Sequence, residues 1–169
     1  ASDDKTTIGS EADTAQLVIT VRGINDPPVA QNVVAIATEA GGIANATPGV
    51  NPSGDATAND HDPDGDPITV TLVKSGPEGG TGTDLAVNIG GTVVIGQYGT
   101  LTIFPDGSYV YEVDNNNADV QALRRGSDLL LERFTYTISD GVGATPETDS
   151  AEVIVLIRGQ NDDPVANDE

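Results

Sequence analysis

The chain has 169 residues, of which 27 are Asp or Glu and 7 are Lys or Arg, giving a formal net charge of −20 at pH 7. A negative excess of this size repels phosphates and excludes nucleic acid as a partner, and it opposes compaction unless cations neutralise part of it. Cysteine is absent, which excludes a disulfide framework and a thiolate metal site. No apolar run approaches a membrane span, so we expect no membrane insertion.

An internal repeat organises the chain. Residues 13–30 return as residues 149–166, and both copies hold Arg-Gly, Asn-Asp and Pro-Val-Ala at matching places. A fixed period is typical of a tandem array, and no signal peptide is present, so we expect a fragment of a longer protein. Residues 1–28 would be the last strand and linker of a preceding repeat, 29–164 one complete repeat, and 165–169 the start of the next linker or repeat. The Pro-containing segments 25–28 and 161–164 would be the joints.

The first half of the complete repeat shows strand signals separated by turn residues. Residues 29–38 and 68–73 are rich in β-branched side chains, and they predict strands. Residues 43–55 hold two Pro and two Gly, and they predict a loop. Residues 84–89 and 92–95 flank Gly90-Gly91, which predicts a two-residue hairpin.

The second half predicts more strands and one helix. Residues 99–104 and 108–113 flank Pro105-Asp-Gly, a turn sequence, and the two tyrosines of the second strand are expected in the core. Residues 118–125 follow three Asn and precede a Gly, which predicts about two turns of helix. Residues 129–139 and 151–158 predict the last two strands, and Phe134, Tyr136 and Ile138 are expected on one face of the first of them. Six to nine short strands with one short helix predict an all-β fold, a β-sandwich.

The most acidic stretch, residues 59–67, reads Asn-Asp-His-Asp-Pro-Asp-Gly-Asp-Pro. Hard oxygen ligands packed this densely suit Ca²⁺, which takes six to eight oxygens. The spacing matches the first half of an EF-hand loop, but Thr71 stands where a bidentate Glu is required. We therefore expect a calcium loop that leads into a strand. The alternative is a solvated acidic turn, since Asp, Pro and Gly also form ordinary turns. The candidate ligands in this loop are Asp60, Asp62, Asp64 and Asp66.

Four further stretches stand in a characteristic order: residues 99–111, 120–123 (Val-Gln-Ala-Leu), 134–141 (Phe-Thr-Tyr-Thr-Ile-Ser-Asp-Gly) and 158–164 (Arg-Gly-Gln-Asn-Asp-Asp-Pro). In this order they resemble the VCBS repeat, a module of very large secreted bacterial surface proteins that include RTX-type adhesins. The acidic loop and the Asn-Asp joints also resemble bacterial cadherin-like repeats. The resemblance implies an immunoglobulin/cadherin-like β-sandwich in a tandem array on the bacterial cell surface, serving cell adhesion and biofilm formation.

The resemblance also implies a ligand set at the joint. Asp26 and three aspartates of the acidic loop look like cadherin-type calcium ligands, and Asp140 would lie at the same end of the sandwich. Calcium clamped there would stiffen the joint between neighbouring repeats of the same polypeptide, and Asn161-Asp162-Asp163 would form a corresponding, incomplete site. The full expected set is Asn25, Asp26, Asp60, Asp62, Asp64, Asp66 and Asp140.

Two other functional classes remain as alternatives. A Ca²⁺-dependent carbohydrate- or protein-binding module usually needs an exposed aromatic residue, and Tyr98 is the aromatic that falls clearly in a loop. A hydrolase would need a nucleophile beside His61, the single histidine, but no paired Ser or Cys motif accompanies it. We therefore expect that the protein is not an enzyme.

The apolar segment 17–24 is a spare copy of the final strand. Unpaired strands tend to pair with other chains. We expect this segment either to exchange with the sheet edge of another chain or to lie along its own domain.

Overall fold

A computed structural model describes residues 14–125 and 127–161. Within this part of the chain the structure has nine strands, one short helix and one 3-10 turn. Their bounds are β1 Val33–Thr38, η1 Ile43–Asn45, β2 Ser53–Asp55, β3 Thr69–Ser75, β4 Leu85–Ala86, β5 Thr92–Ile95, β6 Gly99–Ile103, β7 Ser108–Val113, α1 Ala118–Gln121, β8 Leu129–Ser139 and β9 Thr148–Arg158.

The strands form two sheets, of which one has the order β1-β9-β8-β3-β4 and the other β2-β7-β6-β5. Strand β1 runs parallel to β9, from Val33 opposite Val153 to Thr38 opposite Arg158. The other neighbours pair antiparallel. The predicted all-β sandwich of two sheets is confirmed.

The core lies between the sheets and is formed by the inward-facing side chains, which alternate with outward-facing ones along the strands. In β8, Phe134, Tyr136 and Ile138 point inward and are fully buried, as predicted. From the facing sheet, the buried ring of Tyr111 meets Phe134 edge to face, with ring centroids 6.0 Å apart, a favourable arrangement for aromatic pairs. The predicted core role of Tyr109 is also confirmed.

A buried carboxylate ties the two sheets together. Glu132 on β8 accepts a hydrogen bond at Oε2 from the hydroxyl of Tyr111 on β7, at 2.6 Å. Its Oε1 accepts from the backbone N–H groups of Gln97 and Tyr98, in the turn between β5 and β6. Burial and the hydrogen bond to Glu132 raise the pKa of the Tyr111 hydroxyl. Three donors thus compensate the carboxylate for the loss of water.

The hairpin predicted at Gly90-Gly91 is wrong. Strand β4 pairs with β3 in one sheet, whereas β5 pairs with β6 in the other, so the connection crosses between the layers. Thr92 Oγ1 bonds to the backbone O of Ala86, and Gly91 has φ +86°, a conformation that glycine adopts without strain. The turn residues were recognised, but their position does not reveal which strands they connect.

Other boundaries differ from the predictions. The expected loop 43–55 contains β2, which pairs with β7, and the helix is one turn long, with Asn117 as its N-cap. The apolar segment 17–24 forms no strand and does not lie along the domain, since Leu17, Val18, Ile19, Val21 and Ile24 are 72–88% exposed. The predictions for residues 1–13 and 162–169, including Asp162 and Asp163, fall outside the described residues.

Candidate metal centre

Three of the predicted ligands cluster in the loop between β2 and β3. Asp62, Asp64 and Asp66 each place a carboxylate oxygen within 4.8 Å of the other two. The two ion pairs found among the described residues, Lys74–Asp84 and Arg133–Glu152, lie elsewhere. The mutual repulsion of the three carboxylates is therefore not offset by a neighbouring side-chain ion pair in the described chain.

The loop holds this geometry through its own backbone. Asp62 Oδ1 accepts hydrogen bonds from the N–H groups of Asp64 at 2.8 Å and Asp66 at 3.3 Å. Gly65 has φ +82° and donates its N–H to the backbone O of Asp62. Aspartate and glycine favour such local turns, so the alternating sequence itself curls the three carboxylates together.

The Asn25-Asp26 joint contacts the acidic loop and also the loop after β8. The N–H of Asp26 donates to Asp64 Oδ2 at 2.7 Å, and Asn25 Nδ2 donates to Asp140 Oδ2 at 2.7 Å. Asp140 is buried, and its Oδ1 also accepts from the N–H groups of Val142 and Glu147. These bonds, above all those from Val142 and Asn25, lower the pKa of Asp140 and keep it ionised.

Asp60 has a different environment from the other loop aspartates. It is not among the three clustered carboxylates, and its oxygens accept from Gln31 N at 2.7 Å and from the Tyr136 hydroxyl at 3.0 Å. Burial raises its pKa. The structure thus gives Asp60 a role in attaching the chain after the joint to the core tyrosine.

The donor chemistry of the cluster fits a hard cation such as Ca²⁺. Asp62 Oδ2 is buried and has no hydrogen-bond partner among the described residues. Burial of a charged oxygen without a partner costs free energy. An ion among the three carboxylates would compensate it, and calcium prefers carboxylate oxygens. Asp62, Asp64 and Asp66 are the side chains that would hold the ion.

An acidic residue at the far end of the sandwich escaped the sequence analysis. Glu39 follows β1 directly, is fully buried, and accepts at Oε1 from the N–H of Gln160 at 2.9 Å. The backbone O of Asn161 accepts from Gly42 N, so the segment leading to the second joint lies beside Glu39. The sequence signal that pointed to Glu39 was the position of an acidic residue between a strand and the break at Gly41-Gly42.

Comparison with known proteins identifies the family. The family model for the bacterial cadherin-like domain matches residues 25–159, from the joint to the end of β9. The chain belongs to this family. No curated protein matches the chain. Membership points to an adhesion-type module in an extracellular or surface setting. None of the helices in the described ranges has the length and apolar character needed to cross a membrane.

Proposed function

We propose that this cadherin-like domain is a structural extender repeat of a large secreted bacterial adhesin, in which calcium at the joints stiffens a surface stalk. Neighbouring repeats of the same polypeptide are its partners, and the VCBS and RTX resemblance of the sequence favours a role in cell adhesion and biofilm formation. In this proposal the domain has no catalytic role, and the exposed His61 is a loop residue whose backbone pairs with Val29.

The observation that carries the proposal is the double contact of the joint. Asn25 and Asp26 bond to Asp140 and Asp64, which belong to different loops. An ion held by the acidic loop would neutralise charge where these loops and the linker converge. The joint would then move with the sandwich, and the direction of the preceding chain would be fixed.

The far end of the sandwich supports a head-to-tail array. Glu39 is buried beside the segment that leads out of β9, and the sequence continues there as Asn-Asp-Asp. In the proposed array this end supplies acids to the joint with the next repeat, while the acidic loop serves the joint with the preceding one. One repeat thus contributes to two joints.

The alternative function, a carbohydrate-binding module, relied on Tyr98 as its exposed aromatic residue. Tyr98 is half-buried and packs against the core, and it donates its N–H to Glu132. Its ring is thereby committed to the fold.

The proposal is tested by the mobility of the joint. We expect ¹⁵N relaxation to show the amide of Asp26 rigid in millimolar calcium, with an order parameter of about 0.85, and mobile in chelator, below about 0.6. Asp140→Asn should abolish the calcium effect, whereas Asp114→Asn, an exposed acid after β7, should leave it intact. Equal mobility of the joint with and without calcium would refute the proposal.

Strand exchange through residues 17–24 is a second element of the proposal. The exposed Leu17, Ile19 and Val21 occupy the places of the buried Val153, Val155 and Ile157 in the repeat, so the segment has the inward-facing pattern of β9. We expect it to complete a sheet contributed by another repeat. Protection of these amides from hydrogen exchange in a longer array, and rapid exchange in this chain alone, would support the pairing. Rapid exchange in both would refute it.

A further inference from the structure

The outer face of the five-stranded sheet carries a continuous apolar patch. We call it the β1-β9-β8 patch, and it consists of Val34, Ile36, Leu129, Leu131, Ile154 and Leu156. Ile36 lies opposite Leu156, which lies opposite Leu131, so one apolar row crosses three strands. Directly opposed side chains on one sheet face are about 5 Å apart, which makes the row continuous.

The patch is open to solvent. Val34 is 60% exposed, Ile36 46%, Leu129 53% and Leu131 47%. The opposite faces of the same strands carry buried residues, such as Ala35, Val155 and Phe134. An apolar patch of a few hundred Å² on a single domain often marks an interaction site.

The charge of this face differs from the charge of the molecule. The outward positions of β1, β8 and β9 hold two arginines, Arg133 and Arg158, and one glutamate, Glu152. The formal charges of these three residues sum to +1, whereas the whole chain has a formal net charge of −20. Glu152 is moreover paired with Arg133 at 3.2 Å. The exposed Glu78 borders this face, since its N–H donates to Glu152 Oε1, and its charge balances the remaining positive one. Repulsion between two copies is therefore weaker here than the net charge of the chain suggests, and the apolar row provides a driving force for contact.

The other sheet offers a useful contrast. On its outer face Ile95 lies opposite Thr100, which lies opposite Glu112, so threonines separate the apolar side chains from one another. Its outward charges are acidic, at Glu112 and Asp55. This face lacks both a continuous apolar row and relief from the negative charge.

We propose that the β1-β9-β8 patch is a self-association surface, on which a second copy of this domain packs sideways, sheet against sheet. A standard interface covers about 800 Å² on each partner, and the apolar patch supplies only part of that area. The contact is therefore weak between free domains. It becomes effective between tethered arrays, where local concentrations reach about 1 mM, and it goes beyond the end-to-end joints proposed above.

The test is sedimentation equilibrium of the full chain up to about 1 mM, in chelator so that calcium joints do not contribute. We expect reversible dimers whose association strengthens with added NaCl, because salt screens the repulsion between two negative copies. Leu131→Glu and Ile36→Glu should each weaken association by roughly tenfold or more, because a charge would be buried in an apolar contact.

Two control variants test whether the loss of association is specific to the β1-β9-β8 patch. Ile95→Glu places the same charge on the 80% exposed residue of the other sheet and should leave association unchanged. Val18→Glu alters the exposed apolar segment and should also leave it unchanged. The proposal is overturned if the wild type stays monomeric at every salt concentration. It is equally overturned if Ile95→Glu weakens association as much as Leu131→Glu, or if Val18→Glu alone abolishes it. Circular dichroism of each variant confirms that the fold is retained.

Discussion

Asp62→Asn is expected to raise stability in chelator and to roughly halve the rise in melting temperature that calcium produces. The variant keeps the oxygen that accepts from Asp64 N and Asp66 N, so the turn survives, but it removes the charge of the carboxylate. Two unit charges about 4 Å apart repel by about 1 kcal/mol even in water. In chelator, relief of this repulsion should raise the melting temperature by about 3 °C for a chain of this length.

In calcium the same variant should lose stabilisation. An ion present at one hundred times its dissociation constant stabilises the fold by about 2.7 kcal/mol, which corresponds to a rise of about 8 °C in the wild type. Calcium affinity depends on the number of charged ligands. A tenfold loss of affinity would reduce the stabilisation to about 1.4 kcal/mol, and hence the rise to about 4 °C.

The assay is differential scanning calorimetry of both chains in millimolar calcium and in chelator. Asp106→Asn is the matched control, because Asp106 forms the same type of turn by accepting from Ser108 N at 3.0 Å but lies outside the cluster. The reasoning fails if calcium does not raise the melting temperature of the wild type, or if both variants reduce that rise equally.

Three further outcomes are expected. Glu132→Ala leaves the Tyr111 hydroxyl and the N–H groups of Gln97 and Tyr98 without their acceptor. It should lower the free energy of unfolding, measured in urea, by about 3–5 kcal/mol. A smaller loss than that caused by Tyr111→Phe would contradict this role of Glu132. Tyr136→Phe removes the hydroxyl that contacts the backbone O of Ala56 at 2.8 Å and should lower the melting temperature by about 3–9 °C, whereas an unchanged value would mean that water replaces it. Hydrogen bonds from Ser108 lower the pKa of Asp106. These bonds therefore stabilise the fold at neutral pH, and their contribution is lost as the pH falls through the lowered pKa. Ser108→Ala should raise the pKa of Asp106 in a ¹³C NMR titration, and an unchanged pKa would refute this cause.

The sequence predicts well what depends on local pattern. Strand β8 was predicted with its observed ends and its buried face, because Phe134, Tyr136 and Ile138 alternate with Thr and Ser residues. The three clustered aspartates were also recognisable, since a short Asp-Gly loop constrains itself.

What depends on distant partners was not predictable in the same way. The spacing in the acidic loop does not distinguish Asp60 from its neighbours, and only the fold brings the Tyr136 hydroxyl to it. Strand β2 carries Ser, Gly and Asp, which have no strand preference, and it forms because β7 offers an open edge. The position of Glu39 between a strand and a Gly-Gly break was a local signal, but its burial depends on the packing of the segment after β9.

The parallel pairing of β1 with β9 has a mechanical consequence. The chain enters the paired region at Val33 and leaves it at Arg158, at opposite ends of one ladder. Tension applied to the two ends of the domain therefore acts along the strands, and the six residue pairs resist shear together instead of unzipping one by one. A repeat built this way should rupture at high force in single-molecule pulling, and rupture at a force typical of unzipping would contradict this geometry.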